Sequence, residues 1–336
     1  MNILIIGVTG LLGCEAANQL VAKGHKIKGL ALPSIPDGIN LSSEVELVFG
    51  NYITDDDSFI KELFNDMDAF IFASGIDERV EVPFPAFEIF NKYNVYPLKR
   101  IFKFAKETGV KHCVILGSYF TYFVTERPEL ELEKHHPYIK SRELQKKFVL
   151  NEASTQFSVA LLELPYIFGV QKGRKPVWTF LVEMLQNMKV ATFFPKGGTA
   201  MVTVKQVGQA ICGALEKTQG GKAYPIGYYN LTWKELLKTF HVAMGVPKKP
   251  IFSISKFLFK MYVKKIKLQQ DSKKIEGGLN LVKFADMQYS KQFIDPFLAS
   301  IFLGVTDDDI YFAIKESVLQ SLEMLNNKDS AVDMKL

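Results

Sequence analysis

The chain has 336 residues, of which 48% are hydrophobic and 23% are charged, and its formal net charge is +5. This composition excludes collagen-like, low-complexity and largely disordered chains, because the apolar surface is sufficient to offset the entropy lost on ordering the backbone. The length fits one large α/β unit or a main domain with a smaller partner.

The charge is unevenly distributed along the chain. Residues 1–170 hold 17 Lys and Arg against 22 Asp and Glu, a balance of −5, whereas residues 171–336 hold 24 against 14, a balance of +10. An excess of positive charge in one half favours an anionic substrate or partner for that half.

The N-terminus and the cysteines indicate the compartment. The segment MNILIIGVTG has no basic residues before its apolar run, and no stretch reaches about 18 uninterrupted apolar residues. Cys14, Cys113 and Cys212 lie far apart, without disulfide or metal-ligand spacing. We therefore expect a cytoplasmic protein without a secretory signal, a membrane-spanning helix or a metal site.

The first half of the chain alternates short apolar runs with amphipathic stretches. The apolar runs predict buried strands over 2–6, 26–32, 45–49, 69–73, 112–116 and 157–162. The amphipathic stretches predict helices over 11–23, 55–65, about 87–108 and 138–151. Strands buried on both faces that alternate with one-faced helices predict a parallel sheet covered on both sides.

After Pro165 the pattern changes. It predicts a helix over 177–188, a strand over 201–204, a helix over 205–217 and a strand over 223–226 that joins the main sheet. Thr232 and Glu235 form a capping box for a helix that reaches about residue 244. Residues 250–306 read as irregular, and residues 307–324 as a terminal helix.

A glycine-rich loop lies between the first strand and the first helix. It reads Gly7-Val8-Thr9-Gly10-Leu11-Leu12-Gly13. At this place Gly7 permits a tight turn, Gly10 lets the backbone approach a pyrophosphate, and Gly13 lets the helix pack closely on the strand. The free N–H groups and positive dipole end of the helix then face the phosphates. The loop therefore predicts a dinucleotide site.

The G-x-x-G-x-x-G spacing resembles that of the extended, epimerase/dehydratase-like branch of the short-chain dehydrogenase/reductase superfamily. Further segments resemble family segments in the same order: GNYITDD at 50–56, FASG at 72–75, YNVYPLKRIFKFAKETGVKH at 93–112, LELPYIFG at 162–169 and MVTVKQVGQAI at 201–211. The resemblance covers residues 1 to about 325. It implies a Rossmann-like doubly wound parallel sheet with a smaller C-terminal substrate-binding domain.

This resemblance implies a division of the chain and a set of cofactor contacts. The NAD(P)-binding domain is expected over 1–168, the substrate-binding part over 169–326 and a flexible tail over 327–336. The contacts that it implies for NAD or NADP are Gly7, Thr9, Gly10, Leu11, Leu12, Gly13, Asn51, Ala73, Ser74, Gly75, Tyr138, Arg142, Pro165 and Ile167.

The family's chemistry uses a Ser or Thr, a Tyr and a Lys, and two segments resemble the corresponding motifs. HHPYIKSRE resembles P-Y-x-x-S-K and implies Tyr138 as the acid/base, and ILGSYFTYF implies Ser118 as the hydroxyl beside it. The family lysine is replaced by Arg142, which shares a helix face with Tyr138 at i+4, whereas Lys140 points elsewhere. Because arginine is a longer, planar fork, the exchange is not conservative. We hypothesise that Arg142 holds the nicotinamide ribose.

Two departures from the family bear on the reaction and the cofactor. The Asp-Glu pair of the 4,6-dehydratases of this branch is replaced by Tyr119 and Phe120, so dehydration by that route is disfavoured. The second strand ends in ALPS at 31–34, without the acid that accepts from a ribose 2′-OH or the Arg that binds a 2′-phosphate. The choice between NAD and NADP stays open.

The expected pocket combines aromatic and basic side chains. Tyr119, Tyr122 and Tyr166 favour a flat or apolar ketone, whereas Arg174 and nearby lysines favour a diphosphate or carboxylate. The adjacent His135 and His136 have no partner ligands at metal-site spacing.

The Lys-rich stretch at 255–274 also has two interpretations. It alternates lysines with apolar residues, and we interpret it as a helix with a solvated basic face rather than as a surface for an anionic membrane. We therefore do not expect contact with a membrane, and nothing in the sequence indicates nucleic-acid binding.

The favoured function is an NAD(P)-dependent oxidoreductase that transfers a hydride at a secondary alcohol or ketone. The alternatives are a sugar-nucleotide epimerase with bound NAD and a cofactor-binding module with little turnover. The module is considered because Arg142 replaces the catalytic lysine of the family. By resemblance we also expect a homodimer that packs through the helices around 91–108 and 138–151.

Overall fold

A computed structural model describes residues 1–326 of the chain. The strands are β1 Asn2–Ile6, β2 Lys26–Ala31, β3 Glu46–Phe49, β4 Ala69–Phe72, β5 Val82–Pro83, β6 His112–Ser118, β7 Ser158–Leu164, β8 Tyr166–Phe168, β9 Thr192–Phe194, β10 Gly198–Thr203, β11 Gly221–Pro225, β12 Tyr229–Thr232, β13 Ile251–Ser253, β14 Ile275–Glu276 and β15 Lys291–Gln292. The helices are α1 Leu11–Ala22, α2 Asp57–Glu62, α3 Phe87–Asn94, α4 Tyr96–Glu107, α5 Phe120–Glu126, α6 Leu132–His135, α7 Pro137–Asn151, α8 Thr179–Asn187, α9 Val204–Lys217, α10 Trp233–Ala243, α11 Lys256–Ser272, α12 Leu281–Gln288 and α13 Ile310–Asn326.

The main sheet has seven strands, all parallel, in the order β3-β2-β1-β4-β6-β7-β11. The predicted doubly wound α/β architecture is therefore confirmed. The predicted strand near 223–226 also exists, and as β11 it extends the sheet beside β7. The strand order reverses between β1 and β4, which opens a crevice at the carboxyl ends of these two strands.

Apolar layers cover both faces of the sheet. On one face α1 and α9 bury side chains such as Leu20 and Ile211 against the strands. On the other face α2, α4 and α7 contribute Ile60, Phe102 and Val149. Because both faces are covered, a central strand such as β4 is buried at every position.

The single helix predicted over about 87–108 is wrong, because two helices, α3 and α4, occupy this stretch. The break is at Val95, whose φ of −122° and ψ of −56° are not helical. Pro97 lies in the first turn of α4, where its missing N–H is tolerated. Within a continuous helix its ring would meet the carbonyl of Tyr93, four residues earlier, so the chain restarts instead.

The interpretation of residues 250–306 as irregular is also wrong, whereas the helix predicted within them at 255–274 exists as α11. This stretch contains α11, α12 and the short strands β13, β14 and β15. Helix α11 exposes apolar side chains as well as lysines, so its apolar positions do not mark one buried face. Other predicted boundaries shift by a few residues at either end, which is the usual uncertainty of element ends. The predicted tail over 327–336 lies outside the described residues.

The core of the C-terminal part is formed by a smaller sheet and three of its helices. Strands β12, β10 and β15 pair in that order, and β8 also pairs with β10. Helices α8, α10 and α13 surround a core that includes Trp178, Trp233 and Phe240. The predicted capping box at Thr232 and Glu235 is confirmed. No helix within residues 1–326 is long and apolar enough to span a membrane.

Candidate functional site

The carboxyl ends of four neighbouring strands bring the predicted site segments to one edge of the sheet. The glycine loop follows β1, Ala73-Ser74-Gly75 follows β4, Ser118 ends β6, and Pro165 follows β7. Pro165 is buried, and the carbonyl of the half-buried Ile167 accepts a hydrogen bond from Trp178 Nε1 at 2.8 Å. Parallel strands therefore assemble at one crevice residues that are separated by up to 160 positions in the chain.

The glycine loop has the close backbone packing that its sequence predicts. Gly7 has a φ of +91°, and a Cβ there would lie 2.6 Å from the carbonyl oxygen of Ala73. A Cβ on Gly13 would overlap the carbonyl oxygen of Gly7, and one on Gly10 would lie 3.1 Å from it. No side chain caps α1, whose first turn is formed by the half-buried Leu11 and Leu12. The loop thus leaves backbone N–H groups and a concave backbone surface for the pyrophosphate of a dinucleotide.

Arg174 lies over this loop. Its Nε donates to the carbonyl of Thr9 at 2.9 Å, and Gln171 Nε2 donates to the same carbonyl at 3.2 Å. Gly173, between them, is pressed against the Pro36–Asp37 peptide, since a Cβ there would lie 2.5 Å from the Asp37 carbonyl. The structure therefore places Arg174, which the sequence assigns to the substrate, beside the expected cofactor phosphates. Sequence reasoning missed Gln171, whose buried Oε1 has no partner within the described part of the chain.

The segment after β4 lines the next part of the crevice. Ser74 Oγ donates to the hydroxyl of Tyr52 at 3.1 Å. Gly75 has a φ of +128°, and a Cβ there would lie 2.5 Å from Asn94 Oδ1. The half-buried Asn51 uses its Oδ1 to accept from the N–H of Ile53 at 2.9 Å, which leaves its amide nitrogen free to donate to a nucleotide.

Tyr138 lies in the first turn of helix α7 and is buried beside Ser118 and Arg142. The Arg142 guanidinium carbon lies 5.2 Å from the centre of the Tyr138 ring. Burial raises the pKa of the Tyr138 hydroxyl, while the charge of Arg142 and hydrogen bonding from Ser118 lower it. The structure therefore brings the three predicted catalytic side chains together. The net rise keeps the hydroxyl protonated at neutral pH.

Arg142 is anchored by the protein itself. Its Nη1 donates to Gln145 Oε1 at 3.0 Å and to the Leu116 carbonyl at 3.5 Å, and its Nη2 donates to the Ile76 carbonyl at 3.3 Å. Its Nε is buried and has no acceptor among residues 1–326. A buried donor without a partner fits a polar group of a bound cofactor or substrate, because leaving such a donor unpaired costs about 1–3 kcal/mol.

Asn94 and Gln145 support this arrangement, and sequence reasoning missed both. Asn94 bonds the backbone N–H of Ile76 at 2.9 Å and its carbonyl at 3.2 Å, and Gln145 Nε2 donates to the Asn94 carbonyl at 2.8 Å. All of these groups are buried, so each bond fixes the geometry around Arg142. Gln145 lies one turn beyond Arg142 on α7, and that spacing is the signal that could have found it.

Glu78 is a second ionisable group in the same cleft. Burial, and secondarily the charge of Asp77, raise the pKa of its carboxyl to about 7. The negative charge of Glu78 in turn raises the pKa of Tyr138 and of Tyr166. A carboxyl that titrates near neutral pH beside a buried tyrosine is typical of an acid/base site. Sequence reasoning missed it, although it lies only three residues beyond Gly75.

The three predicted substrate tyrosines lie in different surroundings. Tyr119 is buried, and its hydroxyl contacts Thr199 Oγ1 at 3.0 Å and Gln292 Oε1 at 2.7 Å. In this structure its hydroxyl therefore links the cleft to the C-terminal part. Tyr166 packs its ring against Trp178 and Trp233. Tyr122, on α5, is half-buried beside Phe123.

A segment of the C-terminal part closes over Tyr138. The N–H of Tyr138 donates to the Gly278 carbonyl at 3.0 Å, and the N–H of Gly278 donates to the Glu78 carbonyl at 2.9 Å. Nearby, the N–H of Asn280 donates to His136 Nδ1 at 3.0 Å. Burial lowers the pKa of His136 to about 4, which keeps its ring neutral. The neutral His136 ring therefore binds this segment through its Nδ1. Residues 1–326 contain no group of three or more His, Cys, Asp or Glu that could hold a metal ion.

A Rossmann-like sheet with a glycine loop, a buried tyrosine, a hydroxyl and a buried cation along one crevice defines a class of dinucleotide-dependent proteins. The chain belongs to the NAD-dependent epimerase/dehydratase family, whose sequence pattern matches residues 3–227. No curated protein matches the chain in sequence.

Solved structures share the fold over nearly the whole chain. A nucleoside-diphosphate-sugar epimerase from Pseudomonas aeruginosa has 15% identity and a TM-score of 0.68, with 99% of each chain covered. The Bordetella bronchiseptica enzyme WbmH in complex with NAD+ has 16% identity and a TM-score of 0.66, covering 97% of this chain and 98% of that chain. The UDP-glucuronic acid 4-epimerase from Bacillus cereus in complex with UDP-glucuronic acid and NAD has 12% identity and a TM-score of 0.68, covering 96% and 100%. At these identities the similarity establishes the fold alone.

Proposed function

We propose that the chain is an NAD-dependent enzyme that transfers a hydride at a secondary alcohol or ketone, with Tyr138 as the acid/base. The observation that carries this proposal is the position of Tyr138, beside Ser118 and Arg142, at the crevice that also holds the glycine loop. Family membership supports NAD as the cofactor. The division into a cofactor-binding part over 1–168, joined by β11, and a substrate-binding part over 169–326 belongs to the same proposal.

Different residues would bind the cofactor, donate to the substrate and exclude water. When bound, the nicotinamide would accept or supply the hydride. The N–H groups at the start of α1 and the side chain of Arg174 would hold the phosphates, while the buried Nε of Arg142 would donate to a ribose or substrate oxygen. The Gly278 segment would exclude water from the proton-transfer site.

The proton moves at the Tyr138 hydroxyl. In the reductive direction this hydroxyl donates its proton to the substrate oxygen, and the charge of Arg142 stabilises the phenolate that remains. Ser118 orients the same oxygen. In this direction a protonated Glu78 would return a proton to the phenolate, and in the oxidative direction its carboxylate would accept one. Dehydration by an Asp-Glu pair stays disfavoured, because Tyr119 and Phe120 stand in those positions and are buried.

A second candidate is a sugar-nucleotide epimerase, which oxidises and re-reduces the same carbon with no net consumption of cofactor. It is supported by the similarity of nearly the whole chain to full-length structures named as epimerases of this substrate class. The basic side chains near the crevice, such as Arg174, fit a substrate diphosphate equally well.

The test combines cofactor titration with turnover. NAD and NADH are titrated into the protein, and then ketones, alcohols and nucleotide sugars are supplied while nicotinamide absorbance and sugar configuration are followed. Net absorbance change supports the oxidoreductase, and inversion without it supports the epimerase. Tight binding without either reaction across a wide panel would instead favour a cofactor-binding module.

One matched pair of variants separates the role of the hydroxyl from a general effect on folding. Tyr138→Phe is expected to lower kcat by roughly 10²–10⁴-fold while cofactor affinity is retained. Tyr311→Phe, which removes an exposed hydroxyl on α13, is expected to change neither. Equal kcat for the two variants would reject Tyr138 as the acid/base.

The homodimer stays a prediction, which the mass in solution from light scattering would test.

A further inference from the structure

Helix α11 presents apolar side chains to solvent. Phe257 is 71% exposed, Met261 57% and Leu268 60%. These positions are four and seven residues apart, so they lie on one side of the helix. The opposite side packs on the protein through the buried Val263 and Gln270. The sequence favoured a solvated basic face here, but the structure shows an outward apolar stripe.

Two lysines share the outward side of the helix, Lys264 within the stripe and Lys265 at its edge. Lys264 and Lys265 lie between Met261 and Leu268 on the outward side, and neither has an acidic partner among the described residues. Other lysines of α11 form ion pairs within the protein. Lys256 and Lys260 pair with Asp286 of α12, and Lys267 pairs with Asp271 at 2.6 Å.

Further apolar groups lie close to the helix. Tyr262 borders a cleft of about 400 Å³, which is also lined by Phe180, Met184 and Met188 and contains one acid, Glu183. Phe252, which lies just before the helix, stacks on Phe193, and both rings are more than half exposed. The apolar surface is therefore larger than one helix face.

We propose that α11 and its surroundings form a docking surface for an anionic lipid membrane, on which the helix lies parallel to the bilayer plane. An outward apolar stripe that includes an aromatic ring, Phe257, and shares its side of the helix with unpaired lysines is the pattern of an interfacial helix. The stripe would enter the headgroup boundary, while Lys264 and Lys265 would contact lipid phosphates.

Electrostatic repulsion makes a second copy of the chain an unfavourable partner for the exposed side of α11. A two-fold contact through α11 would bring Lys264 and Lys265 of both copies together, because such interfaces are self-complementary. The one acid of the helix, Asp271, is already paired with Lys267. The net charge of +10 in residues 171–336 likewise favours contact with an anionic membrane over contact with an identical, positively charged copy.

The experiment measures sedimentation of the full chain with phosphatidylcholine vesicles, with and without phosphatidylglycerol. We expect binding to the anionic vesicles that weakens as salt is added, and little binding to the neutral vesicles. The triple variant Phe257→Ser, Met261→Ser, Leu268→Ser should bind roughly tenfold or more weakly, because the lost apolar contacts scale with buried area. The control variant Phe297→Ser, Phe312→Ser, Leu319→Ser removes exposed side chains elsewhere and should bind like the parent.

A second pair of variants tests the charge. Lys264→Gln with Lys265→Gln should weaken binding by about 25-fold, at roughly fivefold per lysine near the surface. Lys26→Gln with Lys111→Gln, which changes exposed lysines at the amino ends of β2 and β6, should have no effect. Circular dichroism would verify that each variant is folded.

Three outcomes would overturn the proposal. They are no binding to anionic vesicles, equal binding to neutral ones, and identical binding by the α11 variants and their controls. A change of mass in solution in the α11 triple variant, together with absent vesicle binding, would identify a second copy as the occupant instead.

Discussion

The backbone N–H of Tyr138 donates to the carbonyl of Gly278 across 140 residues of sequence, at 3.0 Å. Gly278 also fills the space between Tyr138 and Glu78, since a Cβ there would lie 2.7 Å from the Tyr138 Cβ and from the Glu78 Cα. The candidate acid/base of the main domain is therefore positioned partly by the C-terminal part, and a side chain at 278 cannot be added without displacing one of them.

This contact predicts a difference between two neighbouring glycines. Gly278→Ala should destabilise the protein by about 1–3 kcal/mol through overpacking and lower turnover, because the segment must move away from Tyr138. Gly277→Ala should be nearly neutral, since the nearest atom to its Cβ is 3.9 Å away. Urea unfolding and kcat of both variants are the measurements. Equal effects would show that the close approach at Gly278 is unimportant.

Arg142 is predicted to serve both stability and catalysis. Arg142→Ala should lower the free energy of unfolding by about 2–4 kcal/mol, because the Ile76 and Leu116 carbonyls and Gln145 lose their buried donor. Arg142→Lys keeps the charge but cannot reach all three acceptors.

The two variants separate charge from geometry. If catalysis needs only the positive charge of Arg142, Arg142→Lys should retain the pH profile of kcat while the free energy of unfolding falls. Unchanged cofactor affinity and turnover in Arg142→Ala would contradict the ribose role proposed for this side chain. Urea unfolding, cofactor titration and the pH profile of kcat are the measurements.

The raised pKa of Glu78 predicts that the stability of the protein depends on pH. Its pKa is about 7 in the folded protein and is lower in the unfolded chain, so between these values the folded state binds more protons. The contribution of Glu78 to stability is therefore present at acid pH and is lost as the pH rises through about 7. Glu78→Gln, which cannot ionise, should be more stable than the parent at pH 8 and close to it at pH 5.

The measurement is urea unfolding of both proteins at the two pH values. The matched control is Glu88→Gln, an acid on α3 outside the cleft. Loss of the ionisation near neutral pH from the kcat/KM profile of Glu78→Gln would further indicate a role in proton transfer. A difference between Glu78→Gln and the parent that does not change with pH would contradict this assignment.

The glycine loop predicts a graded response to added methyl groups. Gly13→Ala should lower NAD affinity by roughly tenfold or more and destabilise the protein by about 2 kcal/mol, because its Cβ would overlap the Gly7 carbonyl. Gly10→Ala should have a smaller effect on stability, since its Cβ meets the same oxygen at 3.1 Å. Calorimetric titration with NAD and thermal unfolding would check the order, and the reverse order would reject the packing explanation.

The sequence by itself determined the main sheet and the positions of the cofactor loop, Ser118, Tyr138 and Arg142. The sheet and the glycine loop depend on local patterns, namely residue periodicity and a glycine spacing between a strand and a helix, whereas Ser118, Tyr138 and Arg142 were assigned by resemblance to family motifs. It failed at Val95, where a proline two residues later ends one helix and begins another. It also missed α12 and the short strands β13, β14 and β15 within 250–306, because elements this short carry too few residues to show a period.

Only the tertiary structure decided what surrounds the candidate acid/base. Three features depend on contacts between distant segments: the bond from Arg174 to the carbonyl of Thr9, the contact of Gly278 with Tyr138, and the desolvation that raises the pKa of Glu78 to about 7. Desolvation and close packing arise from the three-dimensional arrangement of neighbours, which the order of residues along one segment does not contain. The uneven charge of the two halves likewise becomes interpretable only once the fold places unpaired lysines beside an exposed apolar stripe on α11.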